Sequence, residues 1–177
     1  YSEQFEATAT ESGLVYSIDA GEETTVEKAQ VYYVKPLLVS DFNFTYELVG
    51  NFDRAVVKFT DTADVTNVLE VELKNVNKEK ILVSINGGAP KEISQAVYAQ
   101  SRTIAFNCVM KTLTIDGNVF AVDGISDFAE KTATFEMAFL DIYQALTLKV
   151  YKVGNYNMDN QQSDYTAPSC YIDVNDG

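Results

Sequence analysis

Apolar and polar residues alternate one by one through stretch after stretch of this chain, and that period of two most limits what it can fold into. Phe42, Phe44, Tyr46 and Leu48 alternate with Asn43, Thr45 and Glu47. Leu69, Val71 and Leu73 alternate with Glu70 and Glu72, and Ile81, Val83 and Ile85 repeat the pattern. Leu113 and Ile115 alternate with Thr112 and Thr114; Phe135, Met137 and Phe139 predict a further strand, and Leu146, Leu148 and Val150 another. Successive side chains of a strand point to opposite faces, so each segment has one apolar and one wet face. Asn86-Gly87-Gly88 and Asp116-Gly117 supply the positive φ of tight hairpins. Turn signals recur at roughly 8–15 residues, the spacing of sandwiches and barrels. Only Ile93–Gln100 and Val122–Ala129 hint at a turn of helix. Strands without helices between them predict antiparallel pairing, because parallel pairs need crossovers. Ten or more strands, at roughly 5–6 residues each, predict two packed sheets rather than one open sheet.

The chain has 177 residues, 46% of them hydrophobic, which is enough for one real core. Lys plus Arg is 13 and Asp plus Glu is 26, so the net charge is −13. That sign argues against nucleic acid, whose phosphates call for a basic stripe, and against docking on an anionic membrane. No apolar run reaches the length of a membrane-spanning helix. There is no histidine, which removes Ser-His-Asp and Cys-His nucleophiles, imidazole acid–base work and His-ligated zinc. Cys108 and Cys170 fit neither a redox pair nor a zinc knuckle, and the sequence leaves their pairing open. The opening Tyr1-Ser2-Glu3 is not a signal peptide, so the chain reads as part of something longer.

Composition shifts after Val153. Gly154–Asp164 is polar and rich in Asn and Gln. Asp164-Tyr165-Thr166-Ala167-Pro168, followed by the alternating Ser169–Gly177, resembles the D-x-T-A-P opening of Ig-like repeats in bacterial surface proteins. The resemblance implies a β-sandwich module over 1–155, then a polar linker and the start of a following module over 156–177. An ordinary C-terminal tail is the other reading.

The main body carries a second resemblance. Thr112-Leu113-Thr114-Ile115-Asp116-Gly117-Asn118-Val119-Phe120 is similar to a hairpin of concanavalin A-like (laminin G-like) jelly rolls. Ala145–Val153 is similar to their closing strand, and Phe59-Thr60-Asp61-Thr62 to an edge of their open sheet. The expected fold is thus all-β, a two-sheet antiparallel β-sandwich of the concanavalin A-like jelly-roll type. What the resemblance implies is a family of sugar-binding, adhesive and glucanase modules, among which fold alone does not choose.

Glycosidases need two carboxylates flanking the scissile bond. Glucanases of this fold carry alternating acids, E-x-D-x-(x)-E, on one strand. Glu70-Val71-Glu72 is the nearest match, lacks the third acid and is expected to face solvent; Glu136 alternates in the same way. The sequence thus reads as not an enzyme. Sugar rings stack on aromatic faces while their hydroxyls pair with planar polar groups. Tyr is plentiful at 11, but Trp is zero. The expected ligand contacts are Tyr98, Arg102, Tyr143 and Gln144, with Tyr143 and Gln144 on a turn between late strands. Each tyrosine also reads as a half-buried sheet residue with a wet hydroxyl. The resemblance further implies a structural calcium ion, for which Asp61 and Asp64 offer loop carboxylates; Asp also gathers in turns because it makes Asx turns. The sequence-level expectation is an extracellular, secreted or surface-attached module that binds glycan, neutral rather than anionic, beside neighbouring modules of the same chain. The alternative is a structural or adhesive spacer.

Overall fold

The computed structural model describes the backbone of residues 6–10, 13–19, 25–33, 36–51, 53–77, 79–94, 101–154, 156–157 and 170–175, and the side chains of 36–47, 53–77, 79–94, 102–138, 140, 153 and 154. Fifteen strands are found among them and no helix. They are β1 (Glu6–Thr10), β2 (Gly13–Asp19), β3 (Thr25–Tyr33), β4 (Leu37–Leu38), β5 (Phe42–Asn51), β6 (Arg54–Asp61), β7 (Val68–Asn77) and β8 (Lys80–Ile85). Then follow β9 (Lys91–Ser94), β10 (Ser101–Asn107), β11 (Thr112–Ile115), β12 (Asn118–Ala121), β13 (Thr132–Val153), β14 (Tyr156–Asn157) and β15 (Cys170–Asn175). No helix of the described residues is long and apolar enough to cross a membrane.

All pairings are antiparallel, and β13 organises them. Its first half lies between β3 and β6, its second half between β2 and β5. The first sheet therefore runs β15-β3-β13-β6-β7-β8-β9 and the second β1-β2-β13-β5-β10-β11-β12. The sequence predicts two separate strands here. The structure instead holds one strand of 22 residues, because Asp141-Ile142-Tyr143-Gln144 contains no Gly, Pro or Asn to turn the chain. The change of sheet is made by an irregularity: the register against β5 shifts between Tyr143 and Leu146.

The inner faces interlock as the alternation predicts. Ala55, Val57, Phe59, Leu69, Val71, Leu73, Phe135 and Met137 of the first sheet are buried, as are Phe42, Phe44, Tyr46, Ile104, Phe106, Leu113 and Ile115 of the second. Phe59 stands at the centre, its ring centroid 5.0 Å from Phe42, 4.9 Å from Phe106 and 5.3 Å from Phe135. Phe139 and Leu148, also expected inside, have side chains outside the described residues. The hairpin β11–β12 turns on Asp116 (φ 48°) and Gly117 (φ 82°), as a two-residue primed turn requires.

Cys170–Asn175 pairs with β3 as the outer strand of the first sheet, Cys170 opposite Tyr33 and Asn175 opposite Lys28. Asp164–Pro168, the residues that carry the Ig-like resemblance, lie outside the described residues. Cys108 is buried with a free thiol, and burial pushes that thiol's pKa up.

Candidate functional site

The outer face of the first sheet is where side-chain chemistry gathers. On β7, alternation sends Leu69, Val71 and Leu73 inward and leaves Glu70 and Glu72 outside. Ser84 of β8 lies opposite Glu72. The chain then turns at Asn86 (φ 47°) and Gly87 (φ 71°). Asn86 clamps this loop to β7: its N–H donates to the Glu70 carbonyl at 2.8 Å, and its Oδ1 accepts from the Glu70 N–H at 2.7 Å. The result is a shallow cleft of about 210 Å³ lined by Glu70, Glu72, Ser84, Gly87 and Gly88. Both glycines are needed there. Gly87 has a left-handed φ of 71°, and a Cβ on Gly88 would come within 3.0 Å of the Ile85 carbonyl.

Cations frame the acids. Arg54 of β6 meets Glu72 at 3.1 Å, with both side chains partly exposed. Lys58 of β6 is opposite Glu70 on one side and Glu136 of β13 on the other, so a row Glu136–Lys58–Glu70 crosses three strands. Cross-strand charge pairs of this kind are worth roughly 0.2–1 kcal/mol each, so the row sets polarity on the surface more than it stabilises the fold.

The residues that the sequence nominates for sugar lie elsewhere. Tyr98 falls outside the described residues. Tyr143 and Gln144 are not on a turn; they sit mid-strand in β13 at its irregularity, and their side chains lie outside the described residues. Arg102 pairs across β10–β5 with Tyr46, whereas Tyr143 pairs with Asn51. Five residues of β5, roughly 16 Å of strand, separate those two positions. Arg102 Nε donates to Asp116 Oδ2 at 2.9 Å and its side chain is 12% exposed. Asp116 also accepts from the Thr103 N–H at 3.0 Å, so this group fastens the β11–β12 turn to β10.

Beside it Tyr46 is buried, and its hydroxyl pKa is raised to about 12, chiefly by loss of solvent, with Arg102 pulling the other way. The native state therefore holds this proton above the ordinary value near 10, where the unfolded chain has released it. Protons bound in the folded state exceed those in the unfolded state only above that ordinary value, so stability falls as pH rises from about 10 to 12. The expected loss is about 2–3 kcal/mol. Urea titrations at stepped alkaline pH should show it, and Tyr46→Phe should flatten that part of the profile.

Asp61 and Asp64 share one loop but have different partners. Asp61 is the fourth inward position of β6 and is buried. Its Oδ1 accepts from the Ala63 N–H at 2.9 Å and its Oδ2 from Asn67 Nδ2 at 3.1 Å. Asp64 is exposed, and its Oδ1 accepts from the Thr66 N–H at 3.0 Å and the Thr66 hydroxyl at 2.6 Å; these bonds lower its pKa. Calcium takes six to eight oxygens. Among the described residues no three of His, Cys, Asp or Glu are grouped to hold a metal ion. An ion on this loop would have to draw on carbonyls and water around the two aspartates.

No protein-family model and no curated protein matches the chain. Solved structures do. Crh5 transglycosylase in complex with NAG superposes with a TM-score of 0.51 at 10% identity, over 88% of this chain and 80% of that one. A Bacillus licheniformis β-glucanase gives 0.47 at 12% identity over 81% and 79%, and a tetrameric galectin from the ball sponge Cinachyrella gives 0.44 at 15% over 72% and 99%. The likeness is one of fold: an all-β, jelly-roll sandwich of two antiparallel sheets. This corrects the expectation that the domain is not an enzyme: a solved structure that shares its fold is a transglycosylase. The solvent-facing position of Glu70 and Glu72 is no argument against catalysis either, since an acid that serves a polymer must stand where the polymer can reach it. Sequence reasoning found these two acids but not Ser84, Gly87 and Gly88. Asn86-Gly87-Gly88 is legible as a turn, but only the β7–β8 register shows which strand face it walls.

Proposed function

We propose that this chain engages glycans on the outer face of its first sheet, in the cleft of Glu70, Glu72, Ser84, Gly87 and Gly88. The cleft itself carries the proposal. It offers carboxylates that accept from sugar hydroxyls, a serine hydroxyl that both donates and accepts, and a glycine wall where a ring can lie against bare backbone. The likeness to a transglycosylase solved with NAG supports the same reading. The net charge of −13 favours neutral over sulfated or sialylated ligands. Tyr98, Arg102, Tyr143 and Gln144 remain proposed as sugar contacts outside this cleft, with no common surface assigned to them. An extracellular or cell-surface setting, with neighbouring modules in one chain, belongs to the same proposal.

A second reading is that the cleft also cleaves or transfers glycosidic bonds. Glu70 and Glu72 leave one strand two residues apart on the same face, with Cα positions about 6.5–7 Å apart, so this sheet face presents two carboxylates of the kind that glycoside hydrolysis employs.

Calorimetric titration with a panel of neutral oligosaccharides tests the first reading. The expected dissociation constants are roughly micromolar to millimolar, weakened about tenfold or more in the Glu70→Gln, Glu72→Gln double variant. Absence of binding up to about ten millimolar, or binding that ignores both acids, would hand the domain to the spacer reading. Chromatography of the same mixtures addresses the second: shorter or longer oligosaccharides that vanish with the double variant would establish catalysis.

A further inference from the structure

The outer face of the second sheet has a different character. From β5 to β12 it presents Asn43 and Thr45, Thr103 and Ala105, Thr112 and Thr114, then Val119, in cross-strand rows such as Asn43–Ala105–Thr114–Val119. These positions carry no charge; the next outward residue of β5, Glu47 opposite Ser101, does. Within this face Asn43 stands out. Asparagine is disfavoured inside strands, and elsewhere in this molecule its amide is put to use. The side chains of Asn67, Asn77, Asn86, Asn107 and Asn118 each make hydrogen bonds, mostly closing turns. Among the described residues no hydrogen bond engages the side chain of Asn43 or Thr45.

The surroundings are open. Strand alternation turns Asn43 and Thr45 outward, half-exposed, and buries Phe44 between them. The residue opposite Asn43 on β10 is Ala105. On the β13 side, Gly154 donates its N–H to the Asn43 carbonyl. A side chain at Gly154 would point inward to Leu37 and Phe42, away from this face. Asn43-Phe44-Thr45 is also the single Asn-x-Ser/Thr triplet in the sequence.

We propose that Asn43 is an acceptor for N-linked glycosylation, so that the domain carries a sugar chain on the second sheet, opposite the cleft. In this transfer the amide Nδ2 attacks the anomeric carbon of a lipid-pyrophosphate-linked oligosaccharide. The C1–O bond to phosphate breaks, the lipid pyrophosphate leaves with the electron pair, and the amide proton passes to a base of the transferase. The hydroxyl two residues on is the part of the triplet that the transferase reads. Because Asn43 and Thr45 face outward and no hydrogen bond among the described residues engages their side chains, an attached sugar is compatible with the closed sandwich.

The full chain, secreted from a eukaryotic host behind a targeting signal, is the test. Intact-mass measurement should show one glycan per chain, removed by a peptide N-glycosidase with conversion of Asn43 to Asp. Asn43→Gln and, independently, Thr45→Ala should abolish the added mass, while Thr45→Ser should keep it in part. Enzymatic removal of the glycan should leave the melting temperature within a few degrees. A secreted chain of unmodified mass would overturn the proposal, as would a modification that persists in both abolishing variants.

Discussion

Replacing Phe59 by Ala is expected to lower the unfolding free energy by about 3–5 kcal/mol, enough to unfold much of a marginally stable domain. Phe59 is fully buried on β6 of the first sheet, and its ring meets Phe42 and Phe106 of the second sheet as well as Phe135 of its own. The contact with Phe42 is edge-to-face, at an interplanar angle of 85°, an arrangement that aromatic pairs favour. Truncation to a methyl would leave a void between two hydrogen-bonded sheets. Neither can collapse into it without breaking its ladder, so the cavity adds to the lost burial. Phe59→Leu should cost clearly less, and Val119→Ala, at an exposed position, should stay within roughly 0.5 kcal/mol. Urea unfolding at constant m measures all three. A loss below about 1 kcal/mol for Phe59→Ala would mean that the two sheets do not pack through this cluster.

The alternation that places Phe59 also explains what the sequence could and could not disclose. Phe42, Phe44, Leu69, Val71, Leu73, Ile115 and Phe135 are buried as expected, because parity along a strand decides a face without any knowledge of the neighbouring strands. Partners across a sheet are another matter. β6, β7 and β8 follow one another by short connections, so their adjacency is legible, but the register that sets Ser84 opposite Glu72 is not, because an irregularity between Asn75 and Asn77 shifts it. The pairing of β6 with β13 joins residues more than seventy positions apart, such as Phe59 and Phe135, and no local signal announces it. Tyr98 and Arg102 go together by nearness in sequence, and Tyr143 and Gln144 by an expected turn; the turn is absent because β13 runs through both residues. The tail makes the same point: Asp164–Pro168 resembles the opening of another module, while Cys170–Asn175 returns to β3. Asp61 is a case where the signal was present. Its parity with Ala55, Val57 and Phe59 already marks it as inward-facing.

That inward aspartate leads to the second large effect, expected at Asn67. Asn67 is buried beneath the β6–β7 turn, where the Asp61 N–H donates to its carbonyl at 3.0 Å. Its side chain behaves as an extra peptide group. Nδ2 donates to Asp61 Oδ2 at 3.1 Å and to the Ser126 carbonyl at 3.0 Å, while Oδ1 accepts from the Ser126 N–H at 3.1 Å. One residue thereby joins the end of β6 to the segment between β12 and β13, which has no strand pairing of its own there and buries Ile125 and Phe128. Asn67→Ala leaves a carboxylate oxygen and both polar groups of Ser126 without these partners. At roughly 1–3 kcal/mol for each unsatisfied buried group, partly recovered by entering water, the expected loss is about 2–4 kcal/mol. Asn67→Asp should cost at least as much, since it keeps the shape but removes the donors and sets a second carboxylate against Asp61. The damage should also be local: limited proteolysis ought to cut the 122–131 segment faster in both variants, before global unfolding. If both variants match the parent in urea midpoint and protease resistance, Asn67 is not the fastening point, and burial of Ile125 and Phe128 together with the Lys111 contacts to Ile125 and Asp127 must hold that segment against the core.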